Sequence, residues 1–125
     1  MKIGVVLADD KECIRKGIRR ILQHADGIVL LGEACDGEEA ICLVERTQPD
    51  VVLMDIQLPG MDGLSATRCI KSDEELKNVP VIALTSYAMA TDQQKAIEAG
   101  CSGHISKPFR IKEFLLFLFF YQKVI

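Results

Sequence analysis

No window of the 125-residue chain reaches the roughly 18 consecutive apolar residues of a membrane helix. The amino terminus also lacks the basic region, long apolar stretch and small-residue cleavage site of a secretory signal, so a cytoplasmic protein with no membrane contact is expected. Charge is nearly balanced, at a net −3. That balance exerts no global pull toward nucleic acid or anionic lipid, and any basic partner surface must be local. The five cysteines, Cys13, Cys35, Cys42, Cys69 and Cys101, are odd in number, scattered and without a C-x-x-C pair. Reduced thiols are therefore expected rather than disulfides or zinc ligation.

What the chain does have is a soluble-globular composition, 49% hydrophobic and 26% charged, at a length that suits one domain over residues 1–125. Apolar runs alternate with helical patterns, the mark of repeated βα units on a parallel sheet. Strands are expected at Ile3–Ala8, Ile28–Glu33, Val51–Met54, Val79–Leu84 and Ser102–Ser106. Between them, Ile14, Gly17, Ile18, Ile21 and Leu22 fall at helical spacing, leaving Arg15, Lys16, Arg19 and Arg20 as a basic stripe. That stripe reads first as a solvated face and second as a docking surface. Asp36-Gly37-Glu38-Glu39 resembles a capping box for a second helix, which Pro49 closes. A third helix spans Gly63–Lys71, with Ser72–Glu75 as a charged loop after it. The fourth, between Tyr87 and Ala99, is anchored mostly by alanines and ends at Gly100. A fifth begins near Arg110.

Five strands and five helices with right-handed crossovers favour a doubly wound α/β, flavodoxin-like (βα)5 fold of strand order 2-1-3-4-5 with helices on both faces. That order sets the first and third strands side by side where the winding reverses, the place where a ligand site belongs. It gathers Asp9, Asp10, Asp55, Thr85 and Lys107 at one sheet edge, each just past an apolar strand. Singly, each has a bland reading: Asp10 could merely cap the first helix, and Asp55 could bond loop amides. Together they form a pocket with two negative charges in excess. Two unit charges about 4 Å apart repel by about 4 kcal/mol at an effective dielectric near 20, so a divalent cation restores balance. Oxygen donors without His or Cys favour Mg2+, with Mn2+ as the substitute. An approaching phosphoryl group could then be neutralised by the cation, Lys107 and Thr85 while Asp55 attacks phosphorus.

The acidic pair Asp9-Asp10, the M-D-I-Q-L-P-G-M-D-G block around Asp55, Leu84-Thr85-Ser86 and Ser106-Lys107-Pro108-Phe109 stand in the order and spacing of one family. On these four motifs, over nearly the whole chain, the protein resembles the CheY-like receiver domain of two-component response regulators. The resemblance implies that Asp55 accepts phosphate from the phosphohistidine of a sensor histidine kinase or a histidine phosphotransfer protein. It implies that Asp10, Asp55 and the backbone carbonyl of Gln57 hold Mg2+ directly, and Asp9 through water. Lys107, its bond to Pro108 cis, would pair with phosphate oxygens, and the amides of Gln57 and Ser86 would complete the cradle. Thr85 would act as a switch, with output through the fourth helix, fifth strand and fifth helix. The basic stripe would face the phosphotransfer partner.

His104 departs from the pattern by standing where the family commonly has Tyr or Phe, and histidine is the residue type that changes charge near neutral pH. The carboxyl end departs too. Ile111, Phe114, Leu115 and Leu118 suffice to cover the sheet, yet Leu116, Phe117, Phe119, Phe120 and Tyr121 make that helix apolar nearly all round, so a homodimer through it, or a further segment packed on it, is expected. Beyond self-catalysed phosphoryl transfer and dephosphorylation, no enzyme activity is expected. No helix is spare for direct reading of nucleic acid. A haloacid-dehalogenase-type phosphatase would want an acid where Gln57 stands. A protein-interaction module of the same fold that is never phosphorylated is the alternative reading.

Overall fold

The computed structural model describes residues 2–85, 90–107 and 115–116. In chain order these form β1 (Ile3–Ala8), α1 (Glu12–Gln23), β2 (Ile28–Ala34), α2 (Gly37–Thr47), β3 (Val51–Asp55), α3 (Gly63–Ser72), β4 (Val81–Thr85), α4 (Ala90–Ala99) and β5 (Gly103–Ser106). The five strands make one parallel sheet of order β2-β1-β3-β4-β5, as the doubly wound reading requires. Four helices lie within the described residues; of the expected fifth, only Leu115 and Leu116 are described, both helical. Its other residues, including Phe117, Phe119, Phe120 and Tyr121 of the expected dimer face, lie outside the described set.

Alternation along the buried strands sorts the core into two layers. Val5, Leu7, Val51, Leu53, Ile82 and Leu84 pack with Ile18 and Leu22 of α1, and Leu115 joins them. Val6, Ala8, Val52, Met54 and Val81 pack on the other face with Leu43 and Val44 of α2 and Ala66 and Ile70 of α3. The central strands β1, β3 and β4 are therefore apolar at nearly every position because both their faces are covered.

Several boundaries move by a residue or two, for identifiable reasons. β3 runs on to include Asp55, which pairs in register with Leu84. β4 starts at Val81 rather than Val79, because Pro80 has no N–H to donate and the Val79 N–H bonds the Leu76 carbonyl in the preceding turn. β2 extends to Ala34, past a bulge opposite Val5 and Val6. The capping expectations hold at Asp36, whose carboxylate accepts from the Glu39 N–H at 2.8 Å. Asp62 does the same for Ser65 at 2.7 Å at the start of α3. Asp10 does not cap α1; Lys11 is the N-cap residue and makes no side-chain cap bond. Gly100 takes the left-handed φ of +104° after α4, as a helix-ending glycine does. Ile97 of α4 is 62% exposed, and the described inward residues of that helix are the alanines Ala96 and Ala99.

Candidate functional site

β1, β3, β4 and β5 all end at the same edge of the sheet, and each delivers a polar residue there. Asp9 follows β1, Asp55 closes β3, Thr85 closes β4 and Lys107 follows β5. Asp9, Asp55 and Thr85 are buried. Asp10 is exposed, with Lys11 Nζ 3.9 Å from its carboxylate. One carboxylate oxygen from each of Asp9, Asp10 and Asp55 lies within 4.8 Å of the others. Lys107 reaches into this group, its Nζ 2.7 Å from Asp9 Oδ2 and 3.3 Å from Asp55 Oδ2. The Lys107 N–H bonds the Thr85 carbonyl at 2.7 Å, which seats the lysine beside the end of β4. The sequence-predicted acids, threonine and lysine are thus brought together.

The remaining expectations divide. The Gln57 N–H, expected to help cradle phosphoryl oxygens, donates to Asp55 Oδ1 at 3.0 Å. His104 lies half-buried on β5, in register with Ala83. Ser86 and the Lys107–Pro108 bond lie outside the described residues.

Charge and burial oppose one another in the pocket. Burial pushes the Asp55 carboxyl above the ordinary carboxylate range; the Asp9 charge adds to this, and the Gln57 N–H and Lys107 oppose it without cancelling it. Burial would lower the Lys107 ammonium, but the hydrogen bond to Asp9 and the charges of Asp55 and Asp9 outweigh it and raise the pKa. Lys107 therefore stays protonated and compensates part of the acid charge. Three convergent carboxylates, with no sulfur or imidazole in the group, fit a hard divalent cation.

Two residues of the surrounding architecture were not singled out from sequence as site residues. The Arg15 guanidinium donates from Nη1 to the Asp9 carbonyl at 2.8 Å. Glu33, near the end of β2, accepts from Arg19 at 2.7 and 2.8 Å and lies 3.3 Å from Arg15 Nε. Their signal in the sequence is an acid interrupting the apolar run of the second strand, facing two arginines four residues apart. Gly63 also bears on the site, because a Cβ there would collide with the Asp55 carbonyl.

The family model described as the response regulator receiver domain matches residues 5–118. A polar-differentiation response regulator, DivK of Brucella ovis, is 38% identical over 115 residues, covering 92% of each chain. Among solved structures, a LuxR-family two-component response regulator from Aurantimonas is 31% identical with a TM-score of 0.91, covering 99% of this chain and 87% of that one. The receiver domain of a sensor histidine kinase from Pseudomonas aeruginosa is 32% identical with a TM-score of 0.89, covering 98% of this chain and 99% of its own. That structure holds a magnesium ion coordinated in its active-site cleft.

Proposed function

Because the chain belongs to the receiver-domain family of two-component response regulators, we propose that Asp55 is its phosphoacceptor, charged from the phosphohistidine of a sensor histidine kinase or a histidine phosphotransfer protein. The observation that carries this reading is the convergence of Asp9, Asp10, Asp55 and Lys107 from three separate strand ends. A carboxylate oxygen of Asp55 attacks phosphorus, the phosphorus–nitrogen bond of the donor breaks, and the leaving imidazole takes up a proton. The product is an acyl phosphate that water can later hydrolyse.

Asp10, Asp55 and the Gln57 carbonyl hold Mg2+, with Asp9 acting through water; Mn2+ suits the same donors. Bound there, the cation supplies positive charge against the phosphoryl oxygens. Lys107, already 3.3 Å from Asp55 Oδ2, moves onto a phosphate oxygen once the carboxylate is phosphorylated. The amides of Gln57 and Ser86 donate to the remaining oxygens. Thr85 and His104 act as the switch toward an output face on α4, β5 and the helix that follows.

Incubation with Mg2+ and acetyl phosphate, followed by intact mass, tests the proposal. A labile phosphoryl adduct is expected on the parent protein and on His104→Tyr, and none on Asp55→Asn. An adduct of equal yield on Asp55→Asn, or none on the parent, would sink it.

A further inference from the structure

We propose that Arg15 is a positioning residue for Asp10, acting through the Asp9–Asp10 peptide, and that Glu33 holds Arg15 in place for this purpose. The inference rests on the reading of Asp10 as a cation ligand.

Every hydrogen-bonding group of Asp9 is engaged. Its N–H donates to the Ala34 carbonyl at 3.0 Å. Its Oδ1 accepts from the Lys11 N–H at 2.9 Å and its Oδ2 from Lys107 at 2.7 Å. Its carbonyl accepts from Arg15 at 2.8 Å. Asp10 is the opposite case, exposed and, among the described residues, with only the 3.9 Å approach of Lys11 to guide its carboxylate. The Asp9 carbonyl and the Asp10 N–H belong to one planar unit. A donor that fixes that carbonyl therefore fixes the direction in which the Asp10 Cα leaves, and with it where the carboxylate can reach.

Arg15 is itself held. Its side chain is 14% exposed and lies 3.3 Å from a Glu33 oxygen. Arg19, one turn further along α1, clamps the same carboxylate with two bonds. A guanidinium serves here because its several donors lie in one rigid plane, so one edge can face Glu33 while another nitrogen reaches the carbonyl. Glu33 sits in register with Leu7 of β1, so the whole assembly is referenced to the strand that delivers the acids.

The sign of the effect separates positioning from simple charge. Removing a guanidinium near an acidic pocket should, on charge alone, tighten cation binding. Loss of an orienting partner behind a ligand instead weakens it, commonly by tenfold or more. Mn2+ titration followed by electron paramagnetic resonance reads this without phosphorylation. Arg15→Met is expected to weaken Mn2+ binding about tenfold, while acetyl phosphate labelling recovers to the parent's rate at saturating metal. Unchanged or tighter binding in a folded Arg15→Met protein overturns the proposal. Should circular dichroism show that variant unfolded, Arg15→Lys, which keeps the positive charge but loses the planar fork that reaches Glu33 and the Asp9 carbonyl together, is titrated instead, since charge alone then predicts no change. Weaker binding there supports the proposal; unchanged or tighter binding overturns it. Asp10→Asn keeps the two hypotheses apart. If it loses Mn2+ while Arg15→Met does not, only the positioning role falls. If it binds Mn2+ as the parent does, the cation reading falls with it.

Discussion

Lys107 is the side chain on which the charge balance of the pocket depends. It is 9% exposed and is the cation shared by two nearly inaccessible carboxylates, Asp9 and Asp55. Removing one partner of a buried ion pair leaves an uncompensated charge and costs about 3–5 kcal/mol, unless a neighbour takes up a proton. Asp55, already pushed up by burial, is the group able to do so. In metal-free solution at neutral pH, Lys107→Met should therefore lose about 3 kcal/mol of unfolding free energy, and adding Asp55→Asn should restore much of it. Urea denaturation in EDTA checks this; a single variant as stable as the parent would show that the lysine is not what balances the acids. The individual residues were legible because each stands where an apolar run stops. Asp10 as a helix cap was not confirmed: a short side chain can cap or face a site, and only the backbone decides between them. Here the Asp9 carboxylate takes the Lys11 N–H and Asp10 makes no cap bond.

At the scale of the element, the first helix is tied to the edge strand β2 by charge as well as by packing. Its basic stripe reads from sequence as a solvated face or a docking surface, since helical periodicity says which residues share a side and nothing about what crosses from β2. In the fold, Arg15 and Arg19 turn to Glu33, leaving Lys16 and Arg20 exposed. The Glu33 pKa is lowered, first by the hydrogen bond from Arg19, with burial opposing and the charges of Arg19 and Arg15 adding. A carboxylate with a depressed folded pKa stabilises the fold fully above its ordinary value of about 4.3, and that stability is lost as pH falls through the folded value. Glu33→Gln should thus lower Tm at pH 7, and the difference from the parent should close as the solution is acidified below about pH 4. Thermal melts across that range decide the matter; a gap that persists unchanged in acid would assign the loss to packing. Strand limits were legible to within a residue or two, and β4 was misplaced at its start because Val79 has strand character in sequence but spends its N–H in a turn.

At the scale of the molecule, the pocket joins strand ends that lie far apart along the chain. Lys107 and Asp9 are 98 positions apart in sequence, and in the sheet β3 and β4 lie between β1 and β5. The strand order was legible because parallel crossovers leave few alternatives and the polar strand ends select among them. With three acids facing one ammonium, the pocket keeps an excess of negative charge that a divalent cation can relieve only when all the contributing strand ends are in place. The unfolded chain has no such convergence, so cation binding must add to global stability by linkage. At Mg2+ about 100-fold above its dissociation constant, unfolding should cost about 2.7 kcal/mol more than in EDTA, seen as a rise of several degrees in Tm. Asp10→Asn should remove most of that gain while leaving the EDTA melt close to the parent's, since Asp10 is exposed and makes no cap bond. Sodium chloride at matched ionic strength should not reproduce the gain, because screening acts on exposed charges and this pocket is largely buried. Equal stabilisation by sodium chloride, or full stabilisation of Asp10→Asn by Mg2+, would mean that the acids at this edge converge without forming a cation site.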